Sequence, residues 1–116
     1  MSKPAVGTFE ELPSDEPYPG VVRRTFDTAG ATVTSYEFSP GASFPLHRHA
    51  QEQITLVEQG SVRMRIGDRE PKLSAGGWSV VPGDVEHGVT AGPTGARITA
   101  IVVPRRRSGA YQVLAP

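Results

Sequence analysis

The sequence predicts an all-β chain, one domain closed into a double-sheet jelly-roll barrel. Three observations carry that expectation. From Val21 onward, short apolar-alternating runs recur every ~8–12 residues, the spacing of an all-β fold. The breaks between them are Gly, Pro and Asp, in a chain with 13 glycines and 11 prolines among 116 residues. No helical period is found before the tail, so about eight short strands must hide their edges, and a closed double sheet does that.

The elements follow in order. Residues 1–20 hold four prolines and an acidic cluster (Glu10, Glu11, Asp15, Glu16). They read as an extended arm with little regular structure of its own. The barrel is expected over 21–107. Val21 to Phe26 and Thr32 to Phe38 read as strands separated by Asp27-Thr28-Ala29-Gly30, and Ser39-Pro40-Gly41 as a turn before Ser43 to Leu46. Ile54 to Val57 and Ser61 to Ile66 read as a hairpin across Glu58-Gln59-Gly60. In its second arm Val62, Met64 and Ile66 alternate with Arg63 and Arg65, so the apolar face is the inner one. Trp78 to Val81 reads as a short buried strand, with Trp78 and Met64 in the core. Pro82-Gly83-Asp84 turns the chain before Glu86 to Thr90, with Glu86 facing solvent. Ala91 to Gly95 then reads as a hairpin leading into Ala96 to Val103, which Pro104 ends. The run Arg105-Arg106-Arg107 reads as a solvated end, and 108–116 as a C-terminal tail of undecided structure.

Composition narrows the function classes. Hydrophobic residues make up 37% and charged residues 21%, the balance of a folded chain rather than a disordered one. Lys and Arg equal Asp and Glu, 12 against 12. A neutral chain lacks the basic footprint that nucleic acid or an anionic membrane demands, so neither is expected as a partner. There is no cysteine, which removes disulfides, thiolate ligands and thiol nucleophiles. The first residues carry no apolar core of signal-peptide length, and a cytoplasmic address is the expectation.

The chemistry concentrates in Gly41 to Gly60. His47 and His49 stand two residues apart in a strand-like segment, so both imidazoles point to the same side. Gln53 has the same parity, with Glu52 its rival if a bulge intervenes. His87 lies far downstream, in Pro82-Gly83-Asp84-Val85-Glu86-His87. These are all three histidines of the chain, and a set of this kind looks like a metal site.

At this point the chain resembles a family, the small single-domain cupins. The first cupin motif is matched by Gly41, five residues, His47-x-His49, three residues, Gln53, six residues, Gly60. The second is matched by Gly76, five residues, Pro82, and His87. Gln53 stands where Glu is usual, a variant of small cupins whose motif ends Glu-Gln. Asp84 stands where Gly is usual, and Ala91 where Asn is usual. The resemblance covers roughly Thr32 to Arg106. It implies a double-stranded β-helix, one divalent transition ion per chain (Fe, Mn, Ni, Co, Cu or Zn) and His47, His49, Gln53 and His87 as its ligands. Small cupins that linearise unsaturated uronates end their last strand on Asp-x-Phe-x-Pro-x-Arg. Here those positions read Ala100, Val102, Pro104 and Arg106, so the acid and the aromatic are gone and that activity is disfavoured.

Three imidazoles and an amide are neutral ligands, so an ion would keep its +2 charge and favour small acidic or enolisable metabolites. Parity puts Thr55, Val57, Val62, Met64, Ile66, Val89, Phe38 and Tyr36 on the wall, with Tyr36 the candidate proton donor. The expected function is a metal-dependent enzyme of isomerase, cyclase, lyase or dioxygenase type. The alternative is a non-catalytic module that binds a small molecule. Ile54 and Leu56 fall on the outer face, and a homodimer is expected, with the arm crossing between subunits.

Overall fold

The computed structural model describes residues 4–106 and the backbone of one further strand at Tyr111–Val113. The remainder of the expected tail lies outside the described residues. Nine strands run β1 (Ser14–Tyr18), β2 (Val21–Asp27), β3 (Thr32–Phe38), β4 (Ser43–His49), β5 (Glu52–Ile66), β6 (Lys72–Ser74), β7 (Trp78–Val81), β8 (His87–Val103) and β9 (Tyr111–Val113). Every strand pairing is antiparallel.

Two long strands make the barrel. β5 and β8 pair along their whole lengths, from Glu52 opposite Val103 to Ile66 opposite His87. Their outer halves belong to a first sheet, ordered β1-β2-β3-β8-β5-β7. Their inner halves belong to a second, ordered β9-β4-β8-β5-β6. Between the halves the register skips at Val57/Gln59 and Gly60/Val62, and bulges of this kind bend a strand from one sheet into the next. The two expected hairpins, across 58–60 and 91–95, are therefore corners within continuous strands. Gly60 sits at the corner with φ 70°, and a Cβ there would stand 2.0 Å from the Gly95 carbonyl oxygen. Only glycine fits that crossing.

The sequence-derived alternation holds on the inner face. Val57, Val62, Met64, Val89, Phe38, Tyr36 and Thr55 are buried, and Ile66 is half-buried. Glu37, Arg63 and Arg65 are exposed, so the charged residues of these strands face outward and the wall is apolar. Trp78 departs from expectation. It is 66% exposed, and β7 alternates Trp78 and Val80 outward with Ser79 and Val81 inward. A four-residue apolar run on a sheet edge has only one covered face. The arm is also more ordered than expected. Phe9–Glu11 form a 3₁₀ turn, and β1 pairs with β2 of the same chain, anchored by Arg23 on Asp15 at 2.9 Å. No helix among the described residues is long and apolar enough to cross a membrane.

Candidate metal centre

The second sheet brings the histidines together. His47 on β4 is the direct cross-strand partner of His87 on β8, and their ring centroids lie 4.2 Å apart. His49 is on the same face of β4 as His47, at 5.6 Å between centroids. The turn before His87 is fastened to the end of β4. The Asp84 N–H donates to the His49 carbonyl at 2.8 Å, and a Cβ at Gly83 would meet the Ala50 carbonyl oxygen at 2.3 Å. Asp84, where the resembled motif has Gly, takes a left-handed φ of 64°. Asp tolerates that region better than most side chains, so the turn keeps its shape. As a result the ligand nitrogens of His47, His49 and His87 all lie within 4.8 Å of one another, buried.

Backbone carbonyls set the tautomers. Nδ1 of His47 lies 2.8 Å from the Pro45 oxygen, Nδ1 of His49 3.0 Å from the Gln51 oxygen, and Nδ1 of His87 2.9 Å from the Val85 oxygen. A carbonyl only accepts, so each Nδ1 must carry the proton and each neutral ring has its lone pair on Nε2. Gln53 reaches in from β5. Its Oε1 is 3.1 Å from His49 Nε2 and 3.3 Å from His87 Nε2, while its Nε2 donates to Thr55 Oγ1 at 3.0 Å. The atoms meeting at this point are therefore all acceptors, with no proton between them. Glu52, the rival to Gln53, is exposed on the outer face.

Burial keeps the rings neutral. Desolvation, reinforced by neighbouring His87, pulls His47 from 6.5 down to about 3. Desolvation pulls His87 down to about 4, against the hydrogen bond to Val85. His49 is lowered too, by burial first and then by the Arg106 charge. Arg106 bears on all three rings. It is half-buried, and its backbone N–H donates to Thr32 Oγ1 at 2.8 Å, which folds the chain back after β8. The expected solvated end thus places one guanidinium beside the histidines, whereas Arg105 is exposed. The signal that could have found it was the match of Pro104 and Arg106 to the last-strand signature. Tyr36 is buried further along the core. Its ring packs edge-on against Phe44 at 5.7 Å, and Phe44 in turn lies 4.8 Å from His47 at a tilt of 57°. The donor set fits a divalent transition ion: three neutral imidazoles and one amide oxygen, each held by a second hydrogen bond.

Known proteins agree with this architecture. A sequence match over 61 residues, 39% identical, links the chain to dimethylsulfoniopropionate lyase DddW of Ruegeria pomeroyi. That match takes in 53% of this chain and 40% of the lyase, so the chain spans well under half of that relative's length. The structure of KdgF from Halomonas sp. superposes with a TM-score of 0.77 at 26% identity, over 84% of this chain and 92% of that one. An RmlC-like cupin from Shewanella frigidimarina shares the fold at a TM-score of 0.82 and 23% identity, over 90% and 95% of the two chains. Oxalate decarboxylase from Bacillus subtilis shares it at 0.85 and 17% identity, over 97% of this chain and 33% of that one. The family model for the cupin domain matches residues 34–103, from within β3 to the end of β8, and the chain belongs to the cupin family.

Proposed function

We propose that the protein is a metal-dependent enzyme acting on a small carboxylate or enolisable metabolite. In this reading one divalent ion is held by His47, His49 and His87 through Nε2 and by Gln53 through Oε1. One observation supports it above the others: Gln53 Oε1 stands 3.1 and 3.3 Å from two ring nitrogens that have no proton to give. Acceptors crowded together in a buried site repel, and a cation is what relieves them. When bound, such an ion supplies Lewis acidity that polarises a carbonyl or carboxylate oxygen.

The chain's own residues supply the rest. Arg106 offers a planar, permanently charged fork beside the histidines, suited to a carboxylate. The apolar wall of Val57, Val62, Met64 and Val89 keeps water from competing. Tyr36 is the proposed proton donor; its ring packs edge-on against Phe44, which lies against His47. Among reaction types, β-elimination on a carboxylate substrate comes first, since the sequence match is to a lyase that acts on a substituted propionate. The test is consumption of dimethylsulfoniopropionate and of a panel of 2-oxo acids, followed by proton NMR, with protein loaded in turn with Fe, Mn, Ni, Co, Cu and Zn. Turnover that vanishes in Arg106→Gln supports the reading. Loaded protein that neither binds nor converts any carboxylate overturns it.

A non-catalytic binding module is the second reading, and one observation favours it. Among the described residues no carboxylate joins the three histidines, so a strong general base is missing from the group. Tight carboxylate binding without turnover by any of the six loaded forms would establish it.

A further inference from the structure

We propose that Asp27 and Thr32 are positioning residues, which hold Arg106 beside the three histidines and so set how tightly a carboxylate is gripped. This rests on the reading above, in which the Arg106 guanidinium pairs with a carboxylate. The chain of contacts is short. The Thr32 hydroxyl donates to Asp27 Oδ1 at 2.6 Å and accepts the Arg106 backbone N–H at 2.8 Å. A hydroxyl has one proton to give. The Asp27 carboxylate takes it in a short, charge-assisted bond, which leaves the oxygen lone pairs for Arg106. Asp27 therefore fixes the polarity of the contact on which Arg106 hangs.

The place of the pair in the barrel gives it this role. Asp27 ends β2 and Thr32 opens β3, and the two are direct partners. Their row continues through Val102 on β8 to Gln53 on β5. At ~4.8 Å per strand, the Thr32 backbone lies about 10 Å from that of Gln53. Once past Val103 the chain is thus tied back to the layer of the barrel that carries the amide oxygen. An arginine beyond the end of a strand would lose freedom on gripping a ligand, and a backbone already fastened has less to lose. Closing the turn does not account for Asp27. An Asp at the start of a turn commonly accepts from the turn's own N–H groups. Here Thr28 does so, its Oγ1 accepting from Gly30 at 3.1 Å and from Ala31 at 2.8 Å. The Thr28 N–H in turn donates to the Ala31 carbonyl at 2.8 Å. The Asp27 carboxylate is exposed, yet it is directed onto a hydroxyl of the buried Thr32.

Calorimetric titration of the zinc-loaded full chain with pyruvate tests this. Thr32→Val removes the hydroxyl with little change of shape. It should raise the dissociation constant about 5-fold, the worth of one lost hydrogen bond. Thr32→Ser keeps the hydroxyl and should stay within about 2-fold of wild type. Asp27→Ala, at an exposed position, should weaken pyruvate in the same direction, and it stands in for Thr32→Val should that variant fold poorly. Zinc content should stay at about one ion per chain in all three. Amide exchange at Arg106, followed by NMR, should speed up in Thr32→Val and Asp27→Ala but not in Thr32→Ser. Added to Arg106→Gln, Thr32→Val should cost less than about 1.5-fold, because no guanidinium is left to position. Equal weakening by Thr32→Val in both backgrounds overturns the proposal and makes Thr32 merely structural. So does wild-type affinity in folded Asp27→Ala and Thr32→Val, and both results leave the carboxylate reading of Arg106 standing. Arg106→Gln that binds pyruvate as tightly as wild type removes that reading and the positioning pair together.

Discussion

Stripped of metal, the protein should lose stability in mild acid, and the histidines fix both the sign and the size of the loss. His47 is held at about 3 and His87 at about 4 in the folded chain, against 6.5 when exposed. Their folded values lie below their unfolded ones. Well above pH 6.5 neither state binds a proton, and stability does not depend on these rings. As pH falls below 6.5 the unfolded chain takes up protons that the folded chain refuses, so stability falls. At pH 5 both buried rings are still neutral while the unfolded rings are almost wholly charged. The cost is about 1.5 pH units per ring, or roughly 2 kcal/mol each and about 4 kcal/mol for the pair. His49 adds to the loss in the same direction. Urea denaturation of chelator-treated protein at pH 8 and pH 5 measures the total. The same pair of measurements on His87→Gln, which keeps a donor for the Val85 carbonyl, isolates one ring. Wild type should lose about 2 kcal/mol more than the variant between the two pH values. An equal loss in both proteins, or a smaller one in wild type, refutes the argument that burial holds His87 neutral. The same shifts predict that metal affinity barely changes between pH 8 and 6, because the ligands have no protons to shed. A histidine site with ordinary values would already weaken in that range.

Purified protein should carry about one divalent ion per chain by elemental analysis. His47→Ala or His87→Ala should remove it, whereas Gln53→Ala should weaken it less, since an amide oxygen is the poorest of the four ligands. Arg106→Gln should raise the dissociation constant for a simple carboxylate about 10-fold or more while leaving metal content intact, and Arg106→Lys should recover only part of the loss; titration by calorimetry separates these outcomes. Gln53→Glu should bind the ion more tightly and carboxylates more weakly, because one charge at the site is cancelled. The apolar wall should reject polyhydroxylated sugars in favour of flat keto acids and enols, since each buried sugar hydroxyl without a partner costs about 1–3 kcal/mol. Thermal-shift ranking of the two classes checks this, and a preference for free uronates would count against it.

The inward set was legible because strand side chains alternate with a period of two. His47, His49 and Gln53 share one parity, and so do Thr55 and Val57 after them. All five are buried. The long-range partner, His87, was legible only through its spacing behind Pro82, since nothing local tells which strand lies beside β4. What the sequence hid was continuity. Gly60 and the stretch Gly92-Pro93-Thr94-Gly95 carry the residues of tight turns. Such residues mark where the backbone needs an unusual conformation, not whether pairing lapses there. In this fold they are bulged corners, and the ladder between β5 and β8 resumes on the far side. Trp78 departs from its pattern for a related reason. Hydrophobicity alone does not distinguish a strand covered on both faces from an edge strand whose outer side is open. Arg106 depended on tertiary structure, because its place beside the histidines requires the chain to return over the barrel once β8 has ended.

Gln53 is where these strands of reasoning meet. A glutamate at that position would bring a charge into the site, and the ion would then sit at a net +1 before any substrate arrived. With glutamine a bound ion would keep +2, and Arg106 raises the local potential further. The wall around it is apolar, so this positive charge would be poorly screened and the most stable occupant of the proposed centre would be an anion. Thr55 makes the amide workable. Its hydroxyl is fully buried and accepts the Gln53 N–H at 3.0 Å, which turns the amide oxygen toward the imidazoles. A valine of similar shape would leave that N–H buried without a partner, at a cost of about 1–3 kcal/mol. In the proposed centre Gln53 and Thr55 would therefore act as a pair: one would keep the centre cationic, and the other holds the neutral amide pointing the right way.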